Sequence, residues 1–191
     1  MVSQFQARTD SKLRFARIHL EEITSRHETG SGDDFERAHE ESFLFHLIGA
    51  KDSFLQEVNA AYEIRLPIKQ VKEAKLQKAL KEKSISSSAL SAIVKLEKDR
   101  TSWLALAIEL RHQGTHRSNI PRHFYRGGEY NGRVFFTNLL TAQQMETDIP
   151  EFLRLSLNNM AELLQQLRPT LPQEPTGGIQ KMKPSKRIWR G

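Results

Sequence analysis

The segment that most constrains the fold runs from about Asp33 to Glu63 and contains no proline. Asp33 or Asp34 can begin it, because a short carboxylate side chain accepts hydrogen bonds from the free backbone N–H groups of a first helical turn. Its centre, SFLFHLIGA, is apolar around most of the helical circumference. A helix with this pattern is buried on more than one side, so the segment predicts a long central helix.

Five other segments have apolar residues at helical spacing with polar residues between them. They cover residues 10–26, 69–83, a short stretch capped by the serines at 84–88 and ending at Lys98, 103–113 and 150–168. The predicted fold class is therefore all-α, an up-and-down bundle of about five to six helices.

Helical periodicity is missing from about residue 114 to 148, a stretch that contains four glycines and a proline. Structureless loops of this length are uncommon inside a domain and are often functional. Asn131-Gly132 suits a type I′ turn, with residues 133–136 as one arm of a hairpin. The bundle is therefore expected to carry a long loop or small β-hairpin insertion.

The chain is predicted to form a single domain over residues 1–168, followed by a Pro/Gly-rich basic tail, residues 169–191, that is expected to be disordered. Lys and Arg number 29 against 23 acidic residues, a formal charge of +6. Five of these cations and no acid lie in residues 181–191. The body of the protein is therefore nearly neutral.

Several classes of protein are disfavoured by composition. The chain has no cysteine, which removes disulfides, thiolate zinc sites and cysteine nucleophiles. No apolar run approaches the roughly 18 to 20 residues that span a bilayer, and the N-terminus lacks the pattern of a signal peptide. A soluble cytoplasmic protein that does not enter a membrane is expected.

The charge that matters for function lies between residues 111 and 133, where five arginines face one acid, Glu129. The arginines are Arg111, Arg117, Arg122, Arg126 and Arg133. Three histidines and three aromatic residues lie in the same stretch, a mixture suited to phosphate contacts and base stacking. The alternative is a solvated basic loop.

Within this stretch, ELRHQGTHR (109–117) contains an arginine, a polar residue directly after it, and a histidine four residues further on. These are Arg111, His112 and His116. A well-patterned helix carries Arg111, and Gly114 is predicted to end that helix as its C′ residue. The break is expected to free His116 from helical geometry.

Two other Arg–His pairs have similar spacing, Arg14 with His19 and Arg117 with His123. The first lies in an uninterrupted helical pattern, where five residues turn through about 140° and point the side chains apart. The second lies in the loop. The pair formed by Arg111 and His116 is therefore the candidate site.

The 109–117 segment resembles the active-site motif of the HEPN superfamily, all-helical domains that include many metal-independent ribonucleases. The resemblance implies that His116 acts as general base or acid when a ribose 2′-OH attacks the adjacent phosphate. It implies that Arg111 stabilises the charge on the phosphoryl oxygens and that His112 orients the pair or contacts a phosphate. No cofactor and no metal ion is expected.

The resemblance also implies partners. RNA is the expected substrate, with Arg117, Arg122, His123 and Arg126 as substrate-binding residues. HEPN domains bring two motifs together across a dimer interface, so a homodimer with a composite site is expected. The protein is expected to be a toxin or defence component, with an antitoxin protein as a possible partner.

The competing function is a non-catalytic HEPN-like helical module for protein association or nucleic-acid binding. Arg111 continues an apolar stripe and should lie near the core edge, where a buried charge needs a partner. A purely structural role would pair it with Glu40, Glu41 or Glu57.

Two questions about the roles of the histidines also remain open. His112 and His116 have the i, i+4 spacing of a zinc pair, but no suitable glutamate or third ligand accompanies them. His46 and Ser42, in the apolar centre of the long helix, either line a site or are hydrogen-bonded core residues.

Overall fold

A computed structural model describes residues 4–27, 33–116 and 119–172. The described residues form six α-helices: α1 (Gln4–His27), α2 (Asp33–Ala61), α3 (Glu73–Glu82), α4 (Ser88–Lys98), α5 (Trp103–His116) and α6 (Ile149–Leu167). Three short strands lie between α5 and α6: β1 (Arg122–Phe124), β2 (Val134–Asn138) and β3 (Gln143–Gln144). They pair antiparallel in the order β1-β2-β3. The prediction of a helical bundle that carries a small β insertion is confirmed.

The central element is α2, as its apolar pattern predicts. It packs against α1, α4, α5 and α6. Its buried side chains face several neighbours at once and include Phe43, Leu44, Leu47, Ile48, Phe54, Leu55 and Val58. Phe45 is an exception within the same apolar run, because 47% of its surface stays exposed.

Polar side chains cap the starts of two helices, and the serine run at 84–88 predicts the first of these caps. The Ser87 side chain accepts a hydrogen bond from the backbone N–H of Leu90 at 3.2 Å and begins α4. Asp148 accepts from the backbone N–H of Glu151 at 3.1 Å and begins α6. These local signals fix where each amphipathic helix starts and therefore which face it buries.

Gly114 does not end α5, which continues to His116. A Cβ atom at Gly114 would lie 3.2 Å from Cγ of Glu41 and 3.4 Å from Cδ1 of Ile120. The glycine therefore allows α5 to approach α2 closely, and the prediction that it caps the helix is wrong.

The hairpin is present, but its turn differs from the predicted one. Arg122 pairs with Phe136 and Phe124 with Val134. A type I′ turn needs positive φ at both central residues, and of Asn131-Gly132 only Gly132 has it, at 78°. The Asn131 side chain instead accepts a hydrogen bond from the backbone N–H of Gly127 at 2.6 Å, which ties the wider loop together.

The described chain extends beyond the predicted domain end at residue 168. A 3₁₀ turn (Arg168–Thr170) follows α6, and Leu171 packs against the core. The rest of the predicted tail, residues 173–191, lies outside the described residues. None of the helices in the described part of the chain combines the length and apolar character that a membrane span requires.

A buried ionic cluster joins α2 to two outer helices. The side chain of Lys51 is 8% exposed, and its ammonium group contacts carboxylates of Glu73 on α3 and, at 2.7 Å, Glu97 on α4. These contacts raise the pKa of Lys51 against the opposing effect of burial. The cluster positions the α3–α4 pair on the central helix.

We expect Lys51→Ala to lower the free energy of unfolding by about 3 kcal/mol, because it leaves two half-buried carboxylates without their cation. The loss should be smaller at pH 4.5 than at pH 7.5, since protonation relieves the repulsion between them. Urea unfolding at both pH values measures it. Lys78→Ala is the control, because that side chain is 79% exposed and its pair with Glu82 is on the surface. A Lys51→Ala loss no larger than that of the control would contradict the role of the cluster.

Candidate functional site

Arg111 lies near the end of α5 and faces the exposed ring of Phe45 on α2. Its guanidinium carbon is 5.9 Å from the centre of that ring. The Nε atom is buried and has no hydrogen-bond partner. No ion pair joins Arg111 to a carboxylate among the residues that the structure describes, so none of those carboxylates neutralises its positive charge.

The carboxylates that could have held Arg111 in a structural ion pair are used elsewhere. Glu40 pairs with Arg122 at 2.8 Å, and Glu57 pairs with Arg168 at 3.2 Å. Glu41 packs its aliphatic stem near Gly114. The structural pairing of Arg111 with Glu40 or Glu57 is therefore not found.

The remaining motif residues are on the last two turns of α5. His112 is half-buried, whereas the side chain of His116 lies outside the described part of the structure, as does Arg117. Because α5 is continuous to His116, the two positions Arg111 and His116 differ by about 140° around the helix axis. The structure therefore does not bring the predicted catalytic pair onto one face of one chain.

Arg122 lies on β1 and anchors the hairpin to the central helix. Its side chain is 11% exposed and donates to the Glu40 carboxylate, which is 3% exposed. Burial raises the pKa of Glu40 to about 7, although the Arg122 charge acts in the opposite direction. The geometry assigns Arg122 to the attachment of the insertion and gives no support to its predicted role in substrate binding.

His123 and Arg126 are both exposed at the hairpin. Nε2 of His123 is 3.1 Å from the hydroxyl oxygen of Thr137. The guanidinium carbon of Arg126 is 5.7 Å from the ring centre of Phe124, which is 58% exposed. Both predicted substrate-binding residues are therefore accessible, and Arg126 lies beside an exposed aromatic ring.

A row of aromatic and imidazole rings runs along one side of the α1–α2 pair, which we call the aromatic seam. It consists of Phe15 and His19 on α1 and Phe35, His39, Phe45 and His46 on α2. Neighbouring ring centres are 4.2 to 5.5 Å apart, and the rings of His19 and His46 are stacked within 9° of parallel.

The seam was not predicted, although the sequence contains one signal for it. Phe35, His39, Ser42 and His46 recur at i, i+4, i+7 and i+11, which is one stripe of a helix. Phe15 and His19 form an i, i+4 pair on the neighbouring helix. His46 is therefore not an isolated core histidine, because it contacts rings from both helices.

Lys12 on α1 supplies a cation at the same end of the seam as Arg111. Its ammonium group is 4.6 Å from the ring centre of Phe45 and 3.3 Å from Nδ1 of His46. Gly49 makes room for it, since a Cβ there would lie 3.2 Å from Cδ of Lys12. An ammonium group only donates, so Nδ1 of His46 accepts and the ring proton is assigned to Nε2.

The electrostatics of this end of the seam are positive. Burial and the Arg8 charge lower the pKa of Lys12. Burial, Lys12, His19 and Arg8 together lower the pKa of His46 to about 4, and burial and His39 lower the pKa of His19. His19 and His46 are therefore neutral at pH 7 and offer flat aromatic faces beside fixed cations.

No group of three or more histidine or carboxylate side chains is arranged to hold a metal ion in the part of the chain that the structure describes. The donors gathered around Arg111 and the seam are nitrogen cations and neutral imidazoles. Such groups are suited to anionic oxygens, which accept hydrogen bonds from them.

A family model described as "Family of unknown function (DUF6586)" matches residues 1–173. The chain belongs to this family. No curated protein and no solved structure matches it. The DUF6586 match takes in every helix and strand described above, whereas residues 174–191 lie beyond it. The resemblance to HEPN domains rests on the motif residues and stays a prediction.

The Glu40–Arg122 pair gives this DUF6586 protein a specific pH dependence. A carboxyl whose folded pKa lies above its unfolded value binds its proton more tightly in the fold, so its contribution to stability falls as pH rises from about 4.5 to 7. Glu40→Gln mimics the protonated group. We expect its stability relative to wild type to increase between pH 5 and pH 8, by on the order of 2 kcal/mol.

Chemical unfolding across this pH range measures the difference, and Glu41→Gln is the matched control, because Glu41 is the exposed carboxyl next in the chain. The difference in free energy of unfolding between Glu41→Gln and wild type should stay nearly constant from pH 5 to pH 8. If the same difference for Glu40→Gln is equally independent of pH, Glu40 is ionised in the fold over this whole range.

Proposed function

We propose that the protein is a metal-independent endoribonuclease of the HEPN type. The observation that carries the proposal is Arg111, a half-buried guanidinium near the end of α5 with no carboxylate partner among the described residues. Arginine presents a planar set of donors that matches phosphate oxygens. A guanidinium held against an aromatic ring, with its charge uncompensated, is suited to a phosphodiester.

The reaction follows from the roles of the motif residues. The ribose 2′-OH gives its proton to a neutral His116 imidazole, and its oxygen attacks the adjacent phosphorus. Arg111 stabilises the added negative charge on the phosphoryl oxygens by paired N–H contacts. The bond from phosphorus to the 5′-oxygen breaks, and an imidazolium returns a proton to that oxygen. The products are a 2′,3′-cyclic phosphate and a 5′-hydroxyl end.

Two protomers supply the groups for this reaction. On one continuous helix, positions 111 and 116 differ by about 140° around the axis, so we assign the Arg and His that act on one phosphate to a composite site. His112 orients these groups or contacts a phosphate. In this proposal the bundle has the up-and-down arrangement of HEPN domains, the dimer acts as a toxin or defence component, and an antitoxin protein is its natural inhibitor.

The same helix geometry favours a second candidate, an RNA-binding module without catalysis. A single chain then uses Arg111 and the neighbouring cations to hold phosphates, and His116 has no reacting partner. The two candidates make the same prediction for RNA binding and different predictions for cleavage.

Labelled single-stranded RNA incubated with the protein and excess chelator tests the proposal. We expect wild type to cleave it, and Arg111→Ala and His116→Ala to lower the rate at least about 100-fold, because each removes transition-state stabilisation or proton transfer. Arg65→Ala is the control, since it removes the same charge from a side chain that is 83% exposed.

Thermal unfolding accompanies the assay. Arg111→Ala should unfold within a few degrees of wild type, because no ion pair within the described residues is lost. Equal cleavage by wild type and His116→Ala would contradict the proposal. Binding of RNA by wild type without any cleavage would favour the non-catalytic module.

A mixture of Arg111→Ala and His116→Ala tests the composite site. Mixed dimers keep one Arg111 and one His116 between them, so subunit exchange should restore part of the activity that each variant lacks alone. The cleavage rate is measured as a function of the mixing ratio. The composite site would be contradicted if the mixture cleaves RNA no faster than the separate variants. It would also be contradicted if wild type sediments as a monomer at micromolar concentration.

A further inference from the structure

We propose that single-stranded RNA binds along the aromatic seam, with bases stacked on Phe15 and Phe45 and phosphates held by the cations Arg8 and Arg111. The proposal rests on the proposed function for the choice of RNA as ligand. It adds a binding surface on α1 and α2 that is separate from the proton-transfer residues.

Two aromatic rings of the seam are exposed. Phe15 is 43% exposed and Phe45 is 47% exposed, and each makes an edge contact with His46 between them. Burial of a large apolar side chain stabilises a fold, and these two rings forgo much of that gain. Base stacking on exposed aromatic rings is a main source of affinity for single strands.

Cations lie beside the exposed rings of the seam. Lys12 and Arg111 both face the ring of Phe45, and Lys12 is 8% exposed without an ion pair among the described residues. Asp52 acts on Lys12, Glu22 acts on His19, and Glu36 and Glu41 lie on α2 beside Phe35 and one helical turn from Phe45. The charges that act on His46 are positive: after burial, which is the largest cause, Lys12 and the exposed Arg8 lower its pKa.

The shape and polarity of the seam favour nucleic acid over a membrane. From Phe35 to His46 the α2 backbone rises about 16 Å, which is enough for several bases stacked at about 3.4 Å. Lys12 donates to Nδ1 of His46 and thereby leaves Nε2 as a fixed N–H donor for a base or a phosphate. A lipid interface needs neither flat ring faces nor an oriented donor.

Binding is measured by fluorescence anisotropy with a labelled 2′-O-methyl oligouridylate, which lacks the free 2′-hydroxyl needed for cleavage. We expect Phe15→Ala/Phe45→Ala to weaken binding at least about 10-fold, because two stacking contacts are lost. Phe45→Tyr should bind like wild type and Phe45→Leu should not, since only tyrosine keeps the ring. Ile68→Ala is the control, an exposed apolar side chain outside the seam at 68% exposure.

Three outcomes would contradict RNA binding along the seam. They are an absence of RNA binding by wild type, a double variant that binds RNA within about 2-fold of wild type, and a Phe45→Leu variant that keeps full affinity. If the double variant instead loses binding to phosphatidylserine vesicles, or loses dimer formation in sedimentation, while RNA binding is unchanged, the surface serves a membrane or a second copy. Circular dichroism confirms that each variant is folded.

The experiment distinguishes failure of RNA binding along the seam from failure of the proposed nuclease activity. His116→Ala should bind the 2′-O-methyl oligomer like wild type, since the seam does not include that residue. If wild type binds the oligomer but does not cleave unmodified RNA, the nuclease proposal is contradicted and RNA binding along the seam is still supported. If the double variant still cleaves RNA and binds it like wild type, RNA binding along the seam is contradicted and the nuclease proposal is still supported.

Discussion

The burial of α2 is the constraint on which the rest of the structure depends. A helix covered on several sides must pair every charge that it buries, because an isolated buried charge is far less stable than a solvated one. Each buried charge of α2 is paired with a different part of the chain: Lys51 with α3 and α4, Glu57 with the turn after α6, and Glu40 with the hairpin. Charge compensation on one helix thus determines where the outer elements attach.

The same constraint explains why cations remain at one place. Glu40 and Glu57 are used by Arg122 and Arg168, and the latter also binds Asp10 on α1 at 2.6 Å. Arg111 and Lys12 lie on the side of α2 that presents Phe45, where no carboxylate of the described residues pairs with them. A ring contact and a neutral imidazole stabilise these cations less than an ion pair does. An anionic ligand, as we propose, would supply the charge that the described carboxylates do not.

The sequence predicted what is local in this fold and missed what depends on packing. The apolar pattern of α2 and the serine cap of α4 each act within one or two helical turns, so the sequence alone predicts them. Gly114 has the composition of a helix end, but contacts with Glu41 and Ile120 determine its role. The pairing of Arg122 with Glu40 joins residues 82 positions apart, and no spacing rule predicts it.

Phe45 connects the two parts of the candidate site. Its ring faces Arg111, the motif residue, and also Lys12, which orients His46 in the seam. In the proposed complex, a strand stacked on Phe45 has its next phosphate in the neighbourhood of Arg111, and stacking contributes to the binding of that phosphate. A ring that touches only bases acts on substrate binding, whereas a guanidinium on the phosphate also acts on the transition state. In the proposed nuclease, we therefore expect loss of the Phe45 ring to raise KM and to leave kcat nearly unchanged in steady-state cleavage kinetics, whereas loss of Arg111 should lower kcat. This difference would distinguish a binding surface from a catalytic group on the same side of α2.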